Sequence, residues 1–184
     1  RLSMEKLRIG ADAVCLTLAQ VPVRWQWKWG LAIRRQCGGG RVCAIERDEA
    51  ALELIDANFR KFFGDWQGFC IIAGEAPEAL EGLEMPTHAF IGGSGGRMKE
   101  IVGWLLKANP RVRIVANAIT LETVAEILEC MRMYGFEEGE LLQIQASPVE
   151  QVGSYHMPKA QNPVYIAVMQ HPGEDVEELE WQDL

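Results

Sequence analysis

No stretch of this 184-residue chain approaches the roughly 20 consecutive apolar residues that a membrane-spanning helix requires, which excludes a helical span. Cations are the minority: 18 Lys and Arg face 26 Asp and Glu, for a formal net charge of -8 and a pI near 5.0. A nucleic-acid surface needs clustered Lys and Arg that displace counterions from phosphates, so no nucleic-acid partner is expected, and a small molecule is. No charged n-region, apolar h-region and cleavage site opens the chain, and the expectation is a soluble, cytoplasmic protein. The cysteines Cys15, Cys37, Cys43, Cys70 and Cys130 contain no CxxC pair, so neither zinc nor a redox motif is indicated and no metal site is expected. Buried small hydrophobes are the default reading for most of them. The first residue is Arg1, not Met, already inside the helical-looking Leu2 to Leu7, which suggests a fragment lacking an N-terminal segment.

One further absence concerns the first third. From Cys15 there is no glycine until Gly30, and Trp25, Trp27 and Trp29 alternate with Arg24 to Lys28 after Pro22. That composition suits neither a buried first strand nor an amphipathic helix.

From Arg41 onward short β-branched runs alternate with helical periodicity, the pattern of a parallel sheet covered by helices, and the fold class is α/β. Arg41 to Ile45 reads as a buried strand, with Asp48 capping a helix that runs through Phe62. Phe69 to Ile72 and Thr87 to Ile91 read as further strands, with a short helix at Pro77 to Leu80 between them. A helix from Arg97 stops before Asn109-Pro110, Val112 to Ala116 is a strand, and Thr120 with Thr123 opens a helix ending at Gly135. Leu141 to Ala146 and Val164 to Met169 follow without an intervening helix and are expected to pair antiparallel at the sheet edge. Residues 1–172 are expected to form one domain, with 173–184 an acidic tail.

Ligands of open α/β sheets sit at the carboxyl ends of the strands. Glu46 ends the first of these strands, where a carboxylate can accept both hydroxyls of an adenosine ribose; helix-start capping, shared with Asp48 and Glu49, is the competing reading. In Gly74 to Leu80, small residues would let backbone approach an adenine edge and Glu75 could accept from its amino group, although on spacing alone an ordinary strand-to-helix turn, with Pro77 at the first helical position, is the better reading. Gly92-Gly93-Ser94-Gly95-Gly96 places four glycines at one strand end, implying close approach of the backbone to a ligand or to the following helix. A phosphate-gripping loop is a third reading, but the spacing is neither GxGxxG nor a P-loop.

The stretches Ala44-Ile45-Glu46-Arg47-Asp48, Gly74 to Leu80, Ile91 to Gly96 and Asn117 to Thr123, with Val152-Gly153, Tyr155-His156, Lys159-Ala160 and Asn162-Pro163-Val164, resemble in order and spacing the CbiT family. These are decarboxylating precorrin C15-methyltransferases of cobalamin biosynthesis, and the resemblance covers about Lys6 to Val168. It implies a class I S-adenosylmethionine-dependent methyltransferase fold, Rossmann-like, with a mostly parallel seven-stranded sheet and an antiparallel edge strand. The implied cofactor is S-adenosyl-L-methionine, held by Glu46 at the ribose, Glu75 and Ala76 at the adenine, and Gly92 and Gly93 beside the methionine part. The family usually carries Asp where this chain has Glu75. The implied substrate is a tetrapyrrole, a precorrin, with Asn117, Tyr155, His156 and Lys159 as the residues that would meet it; no residue is singled out as catalytic. A homotetramer is implied, with a C5-methyltransferase partner or fused domain.

Against that resemblance, the Cys15 to Gly30 stretch lacks the glycine loop of a class I methyltransferase. Read one base before each codon boundary, permitted synonymous codons spell Phe-Asp-Ile-Gly-Ala-Gly-Thr-Gly-Ser-Val-Ala-Val-Glu-Met-Gly, which is that loop. Trp25-Gln26, Trp27-Lys28 and Trp29-Gly30 force Ala, Glu and Gly respectively. The expectation is a local frameshift within 15–36, in the gene or its reported sequence. Without the loop, a scaffold that keeps the sheet but holds no cofactor is the rival reading. A nicotinamide-binding Rossmann domain ranks third, since GxGxxG is also missing.

Overall fold

The computed structural model describes residues 2–10, 12–18, 40–136 and 139–171. Helix α1 (Leu2–Leu7) is followed by β1 (Val14–Leu18), β2 (Arg41–Glu46), α2 (Glu49–Phe63) and β3 (Phe69–Ala73). A 3-10 turn (Glu78–Leu80), β4 (His88–Ile91), α3 (Met98–Ala108), β5 (Arg113–Ala118) and α4 (Leu121–Met133) come next. The chain closes with β6 (Glu140–Ile144), a hairpin of β7 (Val149–Val152) and β8 (Tyr155–Pro158), and β9 (Val164–Met169).

Seven strands form one sheet in the order β3-β2-β1-β4-β5-β9-β6, all parallel except β9, which pairs antiparallel with both β5 and β6. The antiparallel strand therefore lies one place in from the edge, and β6 occupies the edge itself. Chain order reverses between β1 and β4, and such a switch point opens a crevice above the carboxyl ends of the strands. The hairpin connects the end of β6 to the start of β9, where Ile144 pairs with Val164 and Ala118 with Tyr165, so it leaves the sheet at the same carboxyl edge.

Alternation along the strands supplies two apolar faces. Ile91, Ile114 and Ala116 face Ile101, Leu105, Leu106 and Ile127 of α3 and α4, while Phe90, Val115, Ile166 and Val168 face Leu7 of α1. The caps are those that the sequence predicts: Asp48 accepts from the Ala51 amide at 2.8 Å and Thr120 from the Thr123 amide at 3.2 Å.

Four expectations are corrected. Val14 to Leu18 is an unbroken run of small and apolar residues and forms β1, a central strand between β2 and β4. The tryptophan-rich composition belongs to the residues after it, which lie outside the described residues together with most of the frameshift interval and the tail. Cys43 and Cys70 face each other in the β2–β3 register as a disulfide with Cα atoms 4.6 Å apart, rather than standing as separate small hydrophobes. Adjacent strands bring together cysteines 27 residues apart in sequence. Cys15 and Cys130 are buried, as expected, and Cys37 lies outside the described residues. The short helix at Pro77 is only a 3-10 turn, and Tyr155 and His156 stand on β8, a hairpin strand that falls between the expected strands Leu141 to Ala146 and Val164 to Met169.

Candidate cofactor site

The carboxyl ends of β1, β2, β3 and β4 lie in line because the ladders are in register: Leu18 pairs with both Ile45 and Ile91, and Glu46 with Ala73. Two bonds extend the alignment past the strands, from the Gly92 amide to the Leu18 carbonyl at 2.7 Å and from the Gly74 amide to the Glu46 carbonyl at 2.9 Å. Above them opens a solvent-connected cleft. Its floor is Leu18, Ile45 and Ile101; its walls are Glu46 and Arg47, then Gly74, Glu75 and Ala76, then Gly93, Ser94 and Gly95.

Glu46 is 4% exposed, an unusual place for a carboxylate. Its Oε1 accepts from the Arg47 amide at 2.9 Å and the Asp48 amide at 3.1 Å, which offsets the cost of burial and fixes the side chain. Its Oε2 has no partner among the described residues and belongs to the cleft wall. A fixed acceptor beside a cleft is what the two hydroxyl donors of a ribose diol need. Capping, the competing reading for Glu46, is supplied by Asp48.

Glu75 receives Arg47 Nη1 on Oε1 at 2.8 Å. Gly95 has φ of 59°, a left-handed backbone that glycine adopts without strain, so glycine permits the turn. Ser94 is buried and donates to Glu126 Oε2 of α4 at 3.2 Å. Arg97 straps the last loop to the previous one, donating to both oxygens of Glu78 at 2.6 and 2.7 Å and to Glu100. The Arg97 hydrogen bonds hold the Glu78 carboxyl down at about 2, and those carboxylates raise the guanidinium's own proton affinity.

Glu46, Glu75, Ala76 and Gly93 thus come together around one cleft, while Gly92 lies just beneath it. Asn117, Tyr155, His156 and Lys159 do not line it. Asn117 is level with Gly92 one strand over, since Ile91 pairs with Ala116, and accepts from Ser3 Oγ at 2.9 Å. Tyr155 is 73% exposed, and Lys159 pairs with Glu150 within the hairpin at 2.9 Å. The sequence reading did not assign Arg47, Ser94, Gly95 or Leu18 to the site, although the first three lie inside the motifs it quoted. Only the placement of β1 could have indicated Leu18. Among the described residues no group of three or more His, Cys, Asp or Glu side chains could hold a metal ion, and no helix is long and apolar enough to cross a membrane.

Residues 29–171 match the family model described as the precorrin methyltransferase domain. A probable cobalt-precorrin-6B C(15)-methyltransferase (decarboxylating) of Pyrobaculum calidifontis is 34% identical over 70% of this chain and 65% of its own length, so the match spans just under two thirds of that relative. The cobalt-precorrin-6B C(15)-methyltransferase (decarboxylating) of Salmonella typhimurium is 31% identical over 76% of this chain and 71% of its own. The solved precorrin-6Y C5,15-methyltransferase of Geobacter metallireducens superposes with a TM-score of 0.77 at 27% identity, covering 92% of this chain and 87% of that one. A Bacillus cereus O-methyltransferase solved in complex with SAH, 18% identical with a TM-score of 0.63, shares the fold over 92% of this chain and 79% of its own. With its acid-tipped second strand and glycine-rich fourth loop standing where the family model runs, the chain belongs to the precorrin methyltransferase family.

Proposed function

We propose that this protein transfers a methyl group from S-adenosyl-L-methionine to C15 of a precorrin macrocycle, with loss of carbon dioxide from the acetate arm on C12, in cobalamin biosynthesis. The observation that carries the reading is the buried Glu46 carboxylate, fixed through one oxygen by two amides at the rim of the switch-point cleft, in a chain of this family.

Glu46 accepts the ribose hydroxyls, Glu75 and the Ala76 backbone meet the adenine, and Gly92 and Gly93 pass beside the methionine part. The cofactor supplies an electrophilic methyl group on a sulfonium. What the chain contributes is position and exclusion of water, because the electron-rich ring brings its own attacking carbon. Leu18, Ile45 and Ile101 form an apolar floor that keeps the cleft dry. Asn117, Tyr155, His156 and Lys159 are assigned to the tetrapyrrole, whose many carboxylates suit a lysine and a histidine. Lys159 exchanges its Glu150 partner for substrate, at little cost because both groups are more than half exposed.

The assembly proposed is a homotetramer working alongside a C5-methyltransferase in the cytoplasm. The hairpin supports self-association: both strands are exposed throughout, with Val149, Val152, Tyr155 and Met157 all more than half exposed. A lone two-stranded hairpin is marginal in water and gains from being covered.

Calorimetric titration with S-adenosylhomocysteine tests the cofactor assignment without the unstable corrin. Micromolar binding is the expected result. A folded protein giving no heat would sink the assignment and favour the cofactor-free scaffold.

A further inference from the structure

We propose that Arg47 is the positioning residue that makes the cleft select an amino-bearing purine over an oxo-bearing one. This rests on the assignment of Glu75 to the adenine edge. Arg47 touches both acids of the cleft: its amide donates to Glu46 Oε1 at 2.9 Å and its guanidinium to Glu75 Oε1 at 2.8 Å. The second contact spans two loops, since Arg47 follows β2 and Glu75 follows β3.

The Arg47 guanidinium takes Glu75 Oε1, and the Glu75 carbonyl accepts the Ala79 amide at 2.9 Å, which fixes the backbone beneath the side chain. Oε2 has no partner among the described residues, and Glu75 lines the cleft. A carboxylate with one oxygen engaged and the other directed by that engagement is an oriented acceptor. It receives an N–H from a six-amino purine and meets another acceptor in a six-oxo purine, an unsatisfied contact.

Without the guanidinium the Glu75 side chain turns freely among its rotamers, and orienting it falls to the ligand. The pair is about half exposed, 52% for Arg47 and 44% for Glu75, so solvent screens it and a several-fold effect is expected rather than a collapse. The opposite possibility has the opposite sign. If the pair were a latch across an empty cleft, removing Arg47 would strengthen binding.

The test is calorimetric titration of the full chain and its Arg47→Met, Arg47→Lys and Glu75→Gln variants with S-adenosylhomocysteine and S-inosylhomocysteine, which differ in the purine six-substituent and in N1, an acceptor in the first and an N–H in the second. The unaltered chain should prefer S-adenosylhomocysteine by about 10-fold or more, the range of a hydrogen bond to a charged group. Arg47→Met should weaken S-adenosylhomocysteine about 3- to 10-fold and leave S-inosylhomocysteine nearly unchanged, with Arg47→Lys between, because an ammonium keeps the charge but not the fork. Glu75→Gln should shrink the preference by the part that Glu75 contributes, about 3- to 10-fold. All side-chain variants keep the Arg47 amide, so the Glu46 contact is untouched, and matched melting temperatures confirm folding. Tighter binding in Arg47→Met, no change, or an equal loss for both ligands overturns the role. Equal binding of both ligands by the unaltered chain also overturns it while leaving the cofactor assignment standing; binding of neither removes both.

Discussion

Glu46 concentrates the chemistry of the cleft in a single side chain, because one of its oxygens accepts two amides and the other has no partner among the described residues. Glu46→Gln keeps the shape and an acceptor but loses the charge, and S-adenosylhomocysteine affinity should fall about 10-fold in calorimetry. Glu46→Ala should also lower the melting temperature, since it leaves the Arg47 and Asp48 amides without an acceptor. His171 makes a second residue-scale case. It is 9% exposed, stacks on Phe136 at 4.7 Å, and its Nε2 has no partner among the described residues. Burial holds its imidazole below the usual value, and burial followed by the Arg113 charge does the same to His88. The folded state therefore binds fewer protons than the unfolded chain. Stability is complete above the usual histidine value of about 6.5 and is lost as pH falls below it. His171→Leu should flatten that dependence in urea denaturation run at pH 8 and pH 5.5; an unchanged pH slope would count against it.

At the scale of elements, close packing of α3 on α4 depends on Gly103. A Cβ there would stand 2.7 Å from the Tyr134 hydroxyl, which donates to the Lys99 carbonyl at 3.0 Å. Alanine is worth about 1 kcal/mol more than glycine inside a helix, yet overpacking costs about 1–3 kcal/mol, so Gly103→Ala should destabilise on balance. Adding Tyr134→Phe should recover part of that loss, and denaturation midpoints of the two single variants and the double variant would show the non-additivity. β2 and β3 carry the other element-scale feature. The Cys43–Cys70 bond ties two strands whose ends hold Glu46 and Glu75, and in a reducing compartment the same pair stands as two thiols. Oxidised, denatured protein with the Cys43–Cys70 bond intact should gain two thiols on reduction at that pair, and Cys43→Ser should release one of them without reductant.

At the scale of the whole molecule, the two ends of the sheet differ in purpose. The carboxyl edge gathers the cleft and the exposed hairpin; the amino edge gathers a polar network in which Arg113 donates to the Lys6 carbonyl at 2.6 Å and Lys6 pairs with Glu140. If the hairpin joins subunits, replacing Val152 and Tyr155 with Lys should reduce the molar mass measured by light scattering to that of a monomer while leaving the melting curve cooperative. Most of this layout is legible in the residues. Helical and two-residue periodicities, the Asp48 and Thr120 caps, and Asn109 before Pro110 are local signals, because hydrogen bonds and side-chain burial within one element depend on neighbours a few residues away. The acid at the end of β2 and the glycines after β4 are likewise local, so Glu46, Glu75, Ala76 and Gly93 could be read as cleft positions in advance, while Leu18 and Ile101 could not. Pairing was not. That Leu18 belongs to a central strand, that Cys43 meets Cys70 and that Arg47 reaches Glu75 follow from strand order and register. Those are set by which apolar faces the folded chain can bury together, a property of the whole sheet and not of any segment. The sequence by itself determined the elements and the chemistry at their ends; only the tertiary structure decided which of those ends share a cleft.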